Sequence, residues 1–103
     1  MARLIIWSRR AVKDLEEIAE YISRDSESYA RSVVRTILQK SRKLADFPFI
    51  GRMVPEFADE SIREIFAYSY RIIYRIIYRI KQNEIDIATV IHGKRQLELS
   101  LEP

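Results

Sequence analysis

The sequence has no cysteine, a single histidine (His92), only two glycines (Gly51 and Gly93) and three prolines in 103 residues. Each shortage removes a class of chemistry. Without cysteine there is no disulfide framework, no thiolate nucleophile and no thiolate zinc site, and the chain suits a reducing compartment. One histidine cannot build an HExxH or other histidine-rich centre, so neither a metal site nor a cofactor is expected. Two isolated glycines cannot form a GxGxxG turn or a phosphate-cradling loop. No apolar run approaches the roughly 18 residues of a membrane span, and the N-terminus lacks the basic-then-apolar order of a signal peptide. A cytoplasmic location with no membrane partner is therefore expected.

What remains is an ordinary globular composition, 48% hydrophobic and 32% charged. A chain of this length has room for one compact domain, taken as residues 1–103. The net charge of +3 permits a nucleic-acid or acidic-protein partner without requiring one.

The most informative stretch is Tyr70-Arg71-Ile72-Ile73-Tyr74-Arg75-Ile76-Ile77-Tyr78-Arg79-Ile80. It is a period-two strand with unlike faces. Even positions read Tyr, Ile, Tyr, Ile, Tyr, Ile, and odd positions read Arg, Ile, Arg, Ile, Arg. One face is apolar and aromatic. The other presents guanidinium groups, suited to phosphates or carboxylates.

A two-residue turn at Gln82-Asn83 pairs this strand with Ile85–Ile91. Lys81 then faces Glu84, Arg79 faces Asp86 and Arg75 faces Val90. On the other side Ile80 meets Ile85, Tyr78 meets Ile87 and Ile76 meets Thr89. Charges oppose charges and apolar groups meet, whereas a one-residue slip would mix the faces. Carried further, the pairing sets His92 beside Ile73 and Lys94 beside Arg71, with Arg95 next. In this register Arg79 has an acidic neighbour and Arg71 and Arg75 have none. The solvated-face reading and the functional reading of Arg71 and Arg75 both stay open.

Elsewhere the pattern is helical. Arg3–Trp7 reads as a short strand, and Ser8 as the cap of a helix over Arg9–Ser23, with Ala11, Leu15, Ile18, Ala19 and Ile22 on one face. After a short joint, Glu27–Ala45 forms a second helix with Ala30, Val33, Val34, Ile37, Leu38, Ser41, Leu44 and Ala45 inward, so the two make an antiparallel hairpin. Residues 46–60 form an irregular segment, too apolar for a floppy linker, that packs under the sheet. Ile62–Phe66 is another strand, and Leu97 and Leu101 suggest a helical turn in the tail. The expected fold is α+β: a small, curved, antiparallel-rich sheet in the order β-α-α-β-β-β. The N-terminal helical hairpin covers the Tyr/Ile face and the arginine face is left open.

An ordered set of short motifs carries a resemblance. Trp7-Ser8, Asp14-Leu15, Tyr21-Ile22, Gly51-Arg52, Val54-Pro55-Glu56, Ile62-Arg63-Glu64-Ile65, Tyr70-Arg71-Ile72-Ile73-Tyr74-Arg75 and Ile91-His92-Gly93-Lys94-Arg95 together resemble the RelE/ParE superfamily of toxins. These toxins belong to bacterial type II toxin–antitoxin modules and are often called plasmid stabilisation proteins. The resemblance spans nearly the whole chain and implies the same fold. It also implies an antitoxin partner and one of two targets.

RelE-like members cleave mRNA on the ribosome with cations on the open sheet face and, commonly, a tyrosine near the C-terminus. ParE-like members poison DNA gyrase. The Tyr-Arg-x-x-Tyr arginine corresponds to Arg71, the Gly-Lys-Arg arginine to Arg95, and the basic position on the preceding strand to Arg63. No tyrosine follows Tyr78. On a RelE-like reading the catalytic set is Arg71, Arg75, Arg95 and His92, the last being the ordinary acid–base candidate. On any reading Arg63, Arg71, Arg75, Lys94 and Arg95 are the binding set. The absent tyrosine favours the ParE-like, gyrase-directed alternative. A non-toxic module holding RNA or protein on the same face is the third.

The unit Arg71-Ile72-Ile73-Tyr74 is repeated directly as Arg75-Ile76-Ile77-Tyr78. Four residues is an even shift, so the repeat preserves the facing of the side chains. It adds about 13 Å of strand at about 3.3 Å per residue. The surplus must either bulge or leave a strand end for an antitoxin segment or a second copy. It also leaves open whether Arg71 or Arg75 is the family-equivalent arginine.

Overall fold

The computed structural model describes residues 3–93. In chain order the elements are β1 (Leu4–Trp7), α1 (Arg9–Ser23), α2 (Glu27–Lys43), β2 (Arg52–Met53), β3 (Ile62–Ala67), β4 (Tyr70–Ile77) and β5 (Glu84–His92). The sheet order is β1-β5-β4-β3-β2. β1 runs parallel to β5, and every other pairing is antiparallel. The expected α+β architecture is present, with the two-residue β2 added at one edge.

Both helices start on serine caps. The Ser8 side chain accepts from Ala11 N at 3.0 Å, and that of Ser26 from Tyr29 N at 3.1 Å. Each bond satisfies one of the free N–H groups of a first turn. Lys40, Arg42 and Lys43 end α2, where positive charge meets the negative end of the helix dipole. Leu44 serves as the cap, so α2 stops two residues short of the expected Ala45.

The helices pack on the sheet face that carries Tyr70, Ile72, Tyr74 and Ile76. There they bury one core with Ala11, Ile22, Val33, Ile37, Leu44, Ile85, Ile87 and Val90. A second, smaller core lies on the opposite face, where Val54, Ile62, Ile73 and Ile91 pack with Phe57. The segment from Val54 to Phe57 therefore lies on the arginine face, which is not left open as expected. Phe47, Phe49, Ile50 and Met53 of the same irregular region stay largely exposed rather than packing under the sheet.

Tyr74 joins the irregular segment to the sheet. Its buried hydroxyl donates to Pro48 O at 2.6 Å and accepts from Gly51 N at 3.1 Å. A Cβ on Gly51 would come within 2.6 Å of that hydroxyl and 2.5 Å of Glu64 O, so only glycine lets the chain pass this close.

The β4–β5 register differs from the sequence expectation. β4 ends at Ile77 and residues 78–83 form a six-residue loop, so Ile77 faces Glu84, Ile76 faces Ile85, Arg75 faces Asp86 and Tyr74 faces Ile87. From Ile77 back to Tyr74 the pairing is displaced by four residues, one repeat unit. The loop is closed by Arg79 N donating to Asn83 Oδ1 at 2.8 Å, where a two-residue turn was expected. A bulge follows: Ile73 faces Thr89, leaving Ala88 as the extra residue. The carbonyl of Ala88 accepts from Ser8 Oγ at 2.9 Å. Past the end of β1, Asp14 of α1 accepts from Thr89 Oγ1 and from Val90 N, completing the bonding of β5 there.

Candidate functional site

The repeat strand delivers its arginines to different fates. Arg71 is buried, with its side chain 7% exposed. Its Nε donates to Glu64 Oε1 at 2.6 Å, while Nη1 and Nη2 make a two-pronged contact of 2.9 Å each with the Glu56 carboxylate. Glu64 comes from β3 and Glu56 from the segment after β2. The hydrogen bonds it donates to Glu56, reinforced by Glu64, hold the guanidinium above its ordinary pKa against the opposing effect of burial. Glu64 takes a second cation on its other oxygen, Arg52 Nε at 2.6 Å. Arg71 is thus a strut inside a carboxylate clamp and not, as the sequence register had it, a cation without an acidic neighbour.

Arg75 is half-buried and faces Asp86 across the ladder. Desolvation, together with the hydrogen bond its protonated form donates to Glu84 and the charge of Glu84, raises the Asp86 carboxyl to about 6. Arg79 reaches Glu84 at 3.0 Å, and that contact holds Glu84 below the usual carboxylate range. Asp59 is also held low, chiefly by the Ser61 backbone and side chain, with a smaller contribution from Arg75.

The other predicted positions do not gather around these two. Arg63 is committed to structure: its guanidinium donates to Glu60 O at 2.8 Å and Gly51 O at 2.9 Å and stacks over Phe49 at 4.7 Å. It faces Tyr74 across the ladder, on the helix side of the sheet. The bulge at Ala88 reverses the facing of the last part of β5, so His92 is opposite Tyr70 rather than beside Ile73. The two rings meet edge-on at 5.8 Å. His92 lines a shallow cavity of about 350 Å³ with Asp14, Glu17 and Tyr21, so among the described residues it shares a hollow with acids and not with Arg71 or Arg75. Lys94 and Arg95, and the expected tail helix, lie outside the described residues.

Metal-free RNA cleavage needs a group to take the 2′-OH proton, one to protonate the leaving oxygen and cations on the phosphorane. Among the described residues these parts are not assembled, because Arg71 is clamped and His92 and Arg75 lie on opposite faces. The clamp acids escaped the sequence reading, although the signal was there. A two-residue turn at Tyr68-Ser69 sets Phe66 against Arg71 and Glu64 against Ile73, which puts Glu64 diagonal to Arg71 on one face. Glu56 offered no such signal, since nothing in the pattern says where residues 54–57 fold back.

Two surfaces face outward. The helical hairpin carries a groove floored by Ala19, Ala30, Val34 and Leu38, so Val34 and Leu38 are only half-buried rather than inward as expected, and its rim holds Arg31, Arg35 and Arg42 together with Glu20 and Glu27. A second hollow runs beside β3, where Lys40, Lys43 and Arg52 surround Ile50, Ile65 and Phe66. Lys40 Nζ donates to Phe66 O at 2.7 Å there.

Residues 5–97 match the family model described as the ParE toxin of the type II toxin-antitoxin system parDE. The chain belongs to the ParE toxin family. Solved structures agree on the fold. The chromosomal ParDE TA system from P. aeruginosa superimposes with a TM-score of 0.69 at 20% identity, over 90% of this chain and 98% of that one. A mutant of E. coli toxin RelE in the free state gives 0.63 at 18% identity, over 91% and 86%. The toxin-antitoxin complex RelBE2 from Mycobacterium tuberculosis gives 0.61 at 16%, over 89% and 99%. No curated protein matches the sequence. Among the described residues of this ParE-family toxin no helix is long and apolar enough to cross a membrane.

Proposed function

We propose that this ParE-family toxin arrests bacterial growth by acting on DNA gyrase, and that a cognate antitoxin protein holds it inactive. The observation that carries the gyrase reading is the fate of Arg71. A guanidinium held by two carboxylates cannot at the same time stabilise a phosphorane. With His92 turned to the helix side, neither Arg71 nor His92 supports the RelE-like chemistry among the described residues. The family match to ParE points the same way.

The antitoxin reading rests on the hairpin groove. Its apolar floor suits the apolar face of an amphipathic helix, which would cover Val34 and Leu38 and set acidic residues against Arg31, Arg35 and Arg42 and basic ones against Glu20 and Glu27.

The test is induced expression in bacteria with parallel readouts. Growth arrest accompanied by a DNA-damage response, with translation continuing at first, supports the proposal. Immediate loss of translation with intact chromosomal DNA would replace it with the ribosome-directed reading. Normal growth during verified soluble expression would favour a non-toxic binding module.

A further inference from the structure

The repeated Arg-Ile-Ile-Tyr unit does more than lengthen β4. Residues 70–77 read Tyr-Arg-Ile-Ile-Tyr-Arg-Ile-Ile, and residues 74–81 read Tyr-Arg-Ile-Ile-Tyr-Arg-Ile-Lys. Sliding the strand by four residues therefore changes only its last position, Ile77 to Lys81. We propose that β4 is bistable, with a second register displaced by one repeat unit between the unmoved β3 and β5.

Every seat in the sheet finds an equivalent occupant. The shift is even, so faces are preserved. Tyr78 takes the buried place of Tyr74, with its hydroxyl between Pro48 O and Gly51 N. Arg75 replaces Arg71 between Glu64 and Glu56. Ile76, Ile77 and Ile80 fill the buried places of Ile72, Ile73 and Ile76. At the strand end Lys81 meets the Glu84 carboxylate in place of a half-buried isoleucine. Arg79 faces Asp86, Ile80 faces Ile85 and Tyr78 faces Ile87. That is the pairing which charge and facing alone select from the sequence.

The turns exchange as well. In the observed register β3 and β4 are joined by the tight turn Tyr68-Ser69, where Tyr68 sits at a positive φ of 54°. That conformation is unfavourable for a bulky side chain. The surplus residues emerge in the 78–83 loop, leaving Tyr78 65% exposed and Ile80 fully exposed. In the second register Gln82-Asn83 becomes the tight turn and residues 68–73 become the six-residue loop. Tyr68 is released and Ile80 is buried, while Ile72 and Ile73 come out. The bond from Gly93 N to Ser69 O and the closure of Arg79 N on Asn83 are given up. The switch thus carries a loop from one end of the sheet to the other and decides whether Arg71 or Arg75 is locked in the clamp. Both ladders beside β4 must open for this, so exchange belongs to the slow, local-unfolding regime.

Aspartate substitutions separate the registers. Ile80 is exposed in the observed register and buried in the second; Ile72 is the reverse; Ile76 is buried in both. Four variants are made, Ile80→Asp, Ile72→Asp, Ile76→Asp and the Ile72→Asp/Ile80→Asp double, and followed by thermal melting and by cross-strand NMR contacts. Ile80→Asp should melt like the parent and keep the Arg75–Asp86 contact. Ile72→Asp should still fold cooperatively, now showing Arg79–Asp86 and Lys81–Glu84 contacts. Ile76→Asp and the double variant should be unfolded. The proposal is overturned if Ile72→Asp is unfolded like Ile76→Asp. A folded Ile72→Asp that retains the Arg75–Asp86 pairing, or a folded double variant, would equally overturn it.

Discussion

Replacing Glu64 by leucine tests the carboxylate clamp most sharply. Glu64 is buried to 1% and meets two cations at 2.6 Å each, Arg71 from β4 and Arg52 from β2. The two contacts are unequal. Arg52 is 61% exposed, so its share is that of a surface ion pair, about 0.5 kcal/mol. Arg71 is 7% exposed, and removing one partner of such a buried pair costs about 3–5 kcal/mol, because the remaining charge stays desolvated. Glu56 still holds the far side of the guanidinium, which places the expected loss at about 3 kcal/mol. That is a large share of the roughly 5–15 kcal/mol that stabilises a domain. Either register of β4 puts an arginine against Glu64, so sliding cannot rescue the variant. Urea unfolding of the purified toxin measures the effect, with Arg52→Leu as the companion that removes only the exposed contact. Glu64→Leu should lower the midpoint severalfold more than Arg52→Leu, with both slopes unchanged. A Glu64→Leu loss below about 1 kcal/mol would show the clamp to be no stronger than a surface pair.

Three further outcomes follow from single sites. Asp86 carries a pKa raised to about 6, through burial and then Glu84, with Arg75 and Arg79 opposing. Below that value the folded state holds a proton that the unfolded chain releases near its ordinary 3.8, so the Asp86 contribution to stability falls as pH rises through 4 to 6. Asp86→Asn should therefore be more stable than the parent at pH 8, by about 1 kcal/mol once solvent screening is allowed for. The advantage should shrink below pH 6, as read from unfolding midpoints across pH. Asp14→Ala strands the buried Thr89 hydroxyl and the Val90 N–H, and should cost about 2 kcal/mol in thermal unfolding. His92→Gln should leave growth arrest unchanged when expressed at parental levels, since the ring lies on the helix side away from Arg75.

The elements that read correctly from the sequence are those fixed by local chemistry. Ser8 announces the first helix, and the strict alternation from Tyr70 onward assigns Tyr70, Ile72, Tyr74 and Ile76 to the helix-covered face. The β4–β5 register did not follow, because the repeat makes two pairings four residues apart almost equivalent in facing and charge. His92 was misplaced for a different reason. A bulge adds one residue, and one residue reverses a face. The backbone partners that stabilise this bulge, Ser8 and Asp14, lie more than 70 residues away in the chain. The clamp on Arg71 likewise joins residues from three separate segments. Its electrostatics could be read only once residues 54–57 were known to lie over the arginine face.

The gyrase reading is tested most directly with purified components. The toxin is incubated with DNA gyrase and relaxed plasmid, and in parallel with ribosomes carrying a defined message. The account predicts loss of supercoiling activity, with accumulation of cleaved DNA–gyrase complexes and an intact message. Specific cleavage of the ribosome-bound message, with gyrase fully active, would contradict it.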